Sequence, residues 1–304
     1  MEKIIVPILL VGFNRADLIE KNLSNILAVN PEKIYISIDG PRLNRPNDIP
    51  AIGKVRNIID NLNIQCELHT VFHEENLTCR GNVTSAISWV LQHEPYVIVL
   101  EDDVIAPPSF FHFMQEMLIK YEKQDKIAMV SGCNYTPIAF PNDEDYCFAQ
   151  SGHIWGWATW KRVWDKFDVN DNFSEKIKSL EYIESISPSK KIAKYRYKLL
   201  HDYLNGEQDT WALKFYFFHL LNNYLCIIPK SHLTSNIGIE GAHTGGVTKY
   251  HFLKCDNEFV VKKHPKTISW YKDYDINEYR IRCDRSPLSV MLNRIKVLFK
   301  IIFK

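Results

Sequence analysis

The 304-residue chain has no C-x-x-C pair, no strong net charge of either sign and no low-complexity tract. Each absence removes a class of protein. Its seven cysteines (Cys66, Cys79, Cys133, Cys147, Cys226, Cys255, Cys283) are odd in number and widely spaced, so neither a disulfide framework nor a zinc knot is expected. Reduced thiols point to a cytoplasmic setting. Lys and Arg number 37 against 36 Asp and Glu, so a net +1 supplies no global field, and no nucleic-acid partner is expected. Glycine (12) and proline (14) are scattered; with 46% hydrophobic and 24% charged residues the composition excludes disorder and fibrous repeats. No G-x-G-x-x-G follows the first apolar run and no G-x-x-x-x-G-K-[ST] occurs, so neither a dinucleotide cofactor nor a Walker-type phosphate cradle is supported. The apolar run from Met1 to Phe13 is too short to span a bilayer, lacks a small-residue cleavage site and reads as a buried strand. In that setting the N-x-T sequons at Asn76, Asn82 and Asn134 read as chance matches.

What is present is a rhythm. Apolar strand runs (Ile4 to Val11, Ile34 to Ile38, Ile64 to Val71, Tyr96 to Leu100) alternate with helical stretches (Asp17 to Leu27, Ala51 to Leu62, Gly81 to Leu91), which predicts βαβ units, a parallel sheet and an α/β fold. Such sheets bind ligands beyond the carboxyl ends of their strands. The residues to inspect are therefore Asn14 and Arg15, Asp39 to Arg42, His73 to Asn76, and Glu101 to Asp103. Later come a helix from Pro108 to about Glu122, a strand Ile127 to Val130, and a tryptophan-rich stretch from Ser151 to Trp164. Helical patterns follow at 173–184, 189–204 and 209–222, then a strand at 224–228 and a Gly-rich loop, Ser235 to Gly246.

The strongest chemical signal is Tyr96-Val-Ile-Val-Leu-Glu101-Asp102-Asp103-Val-Ile-Ala-Pro-Pro108, three adjacent carboxylates closing a buried strand. Their mutual repulsion calls for a cation. Two readings stand: a hard divalent ion, Mg²⁺ or Mn²⁺, that keeps water and substrate phosphates in its shell and neutralises a diphosphate leaving group, or a solvated acidic turn capping the next helix.

With its downstream Pro-Pro-Ser-Phe110-Phe111, this run resembles the metal-binding segment of GT-A fold glycosyltransferases, in particular the N-acetylglucosaminyltransferase I-like group and its bacterial relatives, with E-D-D as a variant of D-x-D. Further matches follow in order: Val6 to Arg15, Ile36-Ser-Ile-Asp39, Gly152-His-Ile-Trp-Gly-Trp157 and Asp209-Thr-Trp211. The resemblance implies a GT-A, Rossmann-like fold with a mixed, mostly parallel sheet and flanking helices. It implies a nucleotide-sugar-binding half at 1–130 and an acceptor-binding and catalytic half of the same domain at 131–285, while 286–304 reads from its own spacing as a basic amphipathic C-terminal helix. Asp103 becomes the metal ligand. Glu101, Asp102, Asn14, Arg15, Asp39 and Arg80 become donor contacts, and Asp209 the catalytic base of an inverting transfer from a nucleotide-diphospho-sugar, most simply a UDP-sugar such as UDP-GlcNAc. The match departs at Gln208 and Thr210, where animal members carry tryptophan and a second acid; Glu207 is the fallback base and a helix N-cap the competing role for Asp209. His243 is expected as a second metal ligand or a phosphate donor, or else a surface imidazole. Trp157, with Trp155 beside it, offers a platform for a sugar ring or simply core.

Two basic segments differ in kind. Lys190, Lys191, Lys194, Arg196 and Lys198 read as a solvated helix face. Residues 286–304 place Leu288, Met291, Leu292, Ile295, Leu298, Phe299 and Ile302 on one face with bases elsewhere and no acid, which predicts peripheral contact with an anionic membrane face presenting a lipid-linked glycan, or else a packed helix. Extension of a surface polysaccharide is the expected process. The alternatives are a sugar-phosphate nucleotidyltransferase, whose Gly-rich basic loop after the first strand is replaced here by Gly12-Phe-Asn14-Arg15-Ala, and a non-catalytic carbohydrate-binding protein.

Overall fold

In the computed structural model of the chain, the described residues are 3–136, 138–170, 173, 179–206, 210–238 and 248–283. The first half alternates β1 (Ile8–Gly12), α1 (Ala16–Leu27), β2 (Lys33–Ile38), α2 (Asp48–Asp60), β3 (Glu67–Phe72), α3 (Thr78–His93) and β4 (Tyr96–Glu101). The two-residue β5 (Val104–Ile105) and the helix α4 (Pro108–Lys120) follow. The second half contains β6 (Ile127–Ser131), β7 (Tyr146–Ala149), β8 (Trp157–Trp160), α5 (Lys161–Trp164), α6 (Leu180–Ser185), α7 (Lys190–Leu204), α8 (Trp211–Leu221), β9 (Leu225–Pro229), β10 (Ser235–Asn236) and α9 (Lys272–Arg282).

Among the described residues eight strands form one sheet in the order β3-β2-β1-β4-β8-β6-β9-β7, and β5 pairs with β10 in a separate ribbon. The pairs β3-β2, β2-β1, β1-β4 and β6-β9 are parallel; β4-β8, β8-β6 and β9-β7 are antiparallel. The sheet is therefore mixed and mostly parallel, flanked by helices: the α/β rhythm predicts its parallel half, and the antiparallel pairs all lie on the β8 side of β4. Its central strands are sealed on both faces: all five residues of β1 are buried, which is why they read as an unbroken aliphatic run rather than an alternating one. In α1 the buried Ile19, Leu23 and Ile26 recur at helical spacing. Helix α3 packs on β1 and β4, and α4 on β4 and β8.

Several boundaries differ from expectation for local reasons. Pairing of β1 starts at Ile8 rather than Ile4; Pro7 just before it has no N–H to donate. The helix expected from 173 is described only over Leu180–Ser185, where Ser179 caps it by accepting from Tyr182 N–H at 3.2 Å. The tryptophan-rich stretch contains a strand, β8, entered through Gly156 at φ +72°, a conformation glycine adopts without strain. Arg196 is corrected: it is not on a solvated face but 1% exposed, donating to Gln150 Oε1 at 2.7 Å and Ser187 Oγ at 3.2 Å. A sequon residue, Asn82, is buried too, and there it ties α3 to the sheet by donating to Gly12 O and accepting from Ser37 Oγ. All seven cysteines are free thiols. Among the described residues no helix is long and apolar enough to cross a membrane; the tail at 286–304 lies outside them.

Candidate active site at the β1/β4 switch point

Strand order reverses at β1: the connection through α1 carries the chain to β2 on one side, and the one through α3 carries it from β3 back over to β4 on the other. The carboxyl ends of β1 and β4 thus flank the crevice where α/β sheets take ligands. Glu101, the last residue of β4, pairs with Val11, and the acidic turn runs on from it. Arg15, just beyond β1, reaches across. Its Nε donates to Asp102 Oδ2 at 3.2 Å, a terminal nitrogen makes a short bond to Asp102 Oδ1, and the same nitrogen donates to Asp103 Oδ2 at 3.1 Å.

The chain therefore supplies one cation to its own acidic turn. One guanidinium serves two carboxylates, so the turn remains acidic. Burial, with a contribution from the neighbouring acids, pushes Glu101 up to about 8. Burial raises Asp102 as well, to about 6, against the opposing pull of Arg15. Asn22 Nδ2 donates to Asp102 O at 2.7 Å and fixes the turn's backbone to α1.

The other residues expected as donor contacts are each engaged within the protein. Asp39, 4% exposed, has both oxygens engaged: Oδ1 accepts from Gly40 N–H and Leu77 N–H, and Oδ2 from Asn76 Nδ2. It fastens the loop before α3 to the end of β2, and burial raises its carboxyl. Asn14 donates to Asp48 Oδ1 at 2.8 Å, where Asp48 also receives the Arg42 guanidinium. Arg80 donates to Val169 O at 2.8 Å.

Trp157 is corrected. It is 1% exposed within β8 and packs against Trp211 and Phe215 at ring separations of 5.8 and 5.2 Å, so it offers no face to a sugar. Trp155 is half-buried, edge-on to Tyr135 and 4.8 Å from the His251 ring. The register pairs Trp157 with Val99, so the chain arrives at β8 from the end of the sheet that carries Glu101. Asp209, Glu207 and His243 lie outside the described residues. The cap of α8 belongs to Thr210, whose hydroxyl accepts from Leu213 N–H at 3.2 Å. Sequence reasoning missed Asn236, whose Nδ2 donates to Asp103 Oδ1 at 3.3 Å.

Among the described residues no group of three or more His, Cys, Asp or Glu side chains is arranged to hold a metal ion. An all-protein cage is thus not what the turn provides. The Asp103 side chain is 21% exposed against 5% for Asp102, and one accessible carboxylate fits an ion whose remaining positions go to phosphate oxygens and water.

No protein-family model matches the chain, and no curated protein matches it. Similar solved structures include a mannose-1-phosphate geranyltransferase from Thermus thermophilus (TM-score 0.38, 10% identity, 78% of this chain and 77% of that one). A 4-diphosphocytidyl-2C-methyl-D-erythritol synthase from Anaerococcus prevotii covers 70% of this chain and 84% of its own at TM-score 0.32 and 11% identity. An inositol-1-phosphate CTP transferase from T. maritima covers 56% and 76% at TM-score 0.30 and 10% identity. Similarity at this level decides nothing about activity.

Proposed function

We propose that the chain is a glycosyltransferase that moves a sugar from a nucleotide-diphospho-sugar, in the first instance a UDP-sugar, to a hydroxyl of a glycan acceptor. The observation that supports this above all others is the meeting of Arg15 with Asp102 and Asp103 across the β1/β4 switch point. A guanidinium suits a diphosphate, and an acidic turn beside it suits a donor that arrives with a cation. Asp103 would hold Mn²⁺ or Mg²⁺ through its carboxylate, and that ion, when bound, would neutralise charge on the departing diphosphate.

The chain's own residues do the rest. Glu101 and Asp102 accept hydrogen bonds from donor hydroxyls, with Arg15 holding Asp102 in place. Asp209 takes the acceptor hydroxyl proton onto its carboxylate as that oxygen bonds to the anomeric carbon. The bond to the diphosphate breaks on the opposite face, and configuration inverts. Two facts favour Asp209: Thr210 already holds the helix cap, and Trp211 packs on Trp157, which pairs with β4 two residues before Glu101. Trp155 replaces Trp157 as the aromatic platform for the acceptor.

A panel of UDP-, GDP- and dTDP-sugars with Mn²⁺, read by donor hydrolysis and thermal shift, tests the reading without knowledge of the acceptor. Asp103→Asn should lower turnover by ~10²–10³-fold; unchanged turnover defeats it. The same switch-point acids would also serve a sugar-phosphate nucleotidyltransferase. Pyrophosphate release from a nucleoside triphosphate and a sugar 1-phosphate, without donor hydrolysis, would favour that second reading, and no turnover in either assay would favour a carbohydrate-binding protein.

A further inference from the structure

The Asp103 carboxylate is gripped by a segment 133 residues away in the chain. Strands β5 and β10 pair antiparallel, Val104 with Asn236 and Ile105 with Ser235, and Ile237 N–H continues the ribbon by donating to Asp103 O at 2.8 Å. Asn236, 6% exposed, turns its amide to the acid: Nδ2 donates to Asp103 Oδ1 at 3.3 Å, while its Oδ1 accepts from Gly238 N–H at 2.9 Å. The second bond decides which end of the amide faces the carboxylate, because a backbone N–H can pair only with the oxygen. Gly238 abuts the same carboxylate. A Cβ there would lie 2.8 Å from Asp103 Cγ, so the carboxylate occupies the space a side chain would need.

We propose that Asn236 and Gly238 are positioning residues that fix the Asp103 carboxylate for a cation-bound diphosphate. This rests on the reading of Asp103 as the donor-site ligand given above. An aspartate in a turn has two side-chain torsions to lose, and a ligand 1 Å out of place is a poor one. A neutral amide is the group that orients a carboxylate without cancelling its charge; a lysine here would compete with the incoming cation, and an aspartate would repel the acid. Gly238 acts by absence, leaving the rotamer that Arg15 and Asn236 both reach.

The test uses Mn²⁺ and UDP as probes on the full chain. Free Mn²⁺ is followed by electron paramagnetic resonance and UDP binding by calorimetry, with and without the metal, for wild type, Asp103→Asn, Asn236→Ala and Gly238→Ala. Positioning predicts that Asn236→Ala and Gly238→Ala weaken Mn²⁺-dependent UDP binding by ~10–100-fold, the usual range for residues that orient a metal ligand, while metal-free UDP binding and circular dichroism stay as in wild type. Should Gly238→Ala fail to fold, Asn236→Ala decides alone. If Asp103→Asn loses Mn²⁺-dependent binding and Asn236→Ala does not, the positioning proposal is overturned and the donor-site reading stands. If Asp103→Asn itself binds like wild type, that reading fails and takes this proposal with it.

Discussion

Arg15 and Asp102 meet just beyond the carboxyl ends of the paired strands β1 and β4, two guanidinium nitrogens set against the two carboxylate oxygens. This fork is only half hidden: the Asp102 side chain is 5% exposed and that of Arg15 31%. Exposed pairs contribute up to ~1 kcal/mol, whereas removing one partner of a buried pair costs ~3–5 kcal/mol because the other charge is left uncompensated. Arg15→Met should fall between, destabilising by about 2 kcal/mol in urea denaturation. Asp102→Asn should then cost less in the Arg15→Met background than in wild type. Additive costs would mean that the two side chains do not depend on each other.

Trp157 and Trp155, two residues apart, should separate stability from acceptor binding. Trp157 sits in the core against Trp211 and Phe215, so Trp157→Ala should destabilise by ~3–5 kcal/mol through cavity formation. Trp157→Phe, which keeps an aromatic ring in place, should leave the acceptor KM alone. Trp155→Ala should raise that KM with a smaller loss of Tm. The reverse pattern would return Trp157 to the site.

What could be read in advance follows from how each element is buried. Strands β1, β2 and β4 are sealed on both faces and appear as aliphatic runs between amphipathic helices, so their carboxyl ends, and with them Arg15, Asp39 and Glu101 to Asp103, could be located from order alone. Strand β8 escaped because Trp157-Ala-Thr-Trp160 is four residues long, wholly buried and without alternation. Arg196 did leave a signal: it stands at the helical spacing of the buried Ile192 and Leu200, in the apolar stripe of α7, where a solvated base would not fall. Asn236 left none, since a two-residue ribbon joining positions 104 and 236 has no periodicity to detect.

Asp209 and Thr210 are neighbours whose roles should divide cleanly. Thr210 caps α8 through its hydroxyl, so Thr210→Ala should cost about 1 kcal/mol in unfolding free energy. Asp209→Asn should leave stability near wild type and lower kcat by ~10²–10⁴-fold if its carboxylate takes the acceptor proton. Loss of stability with intact kcat in Asp209→Asn would give the residue a structural role instead, and Glu207→Gln would be the next variant to assay.

The acid limit of the fold should be set in part by buried histidines. His219 lies on α8 with its ring 4.2 Å from Phe215 and its Nε2 buried without a partner among the described residues, and burial holds it down to about 3. Burial holds His232 down to about 4. The unfolded chain protonates both near 6.5, so below that pH it gains protons that the folded chain refuses, and stability falls with pH until the folded values are reached. Each histidine should add ~1.4 kcal/mol of loss per pH unit in that window. His219→Phe keeps an aromatic ring and removes an orphaned polar atom, so its unfolding free energy should match or exceed wild type at pH 7 while the slope between pH 6 and 4 is shallower by ~1.4 kcal/mol per unit. An unchanged slope in denaturation curves taken across that range would show that His219 is protonated in the folded chain and that its acid sensitivity arises elsewhere.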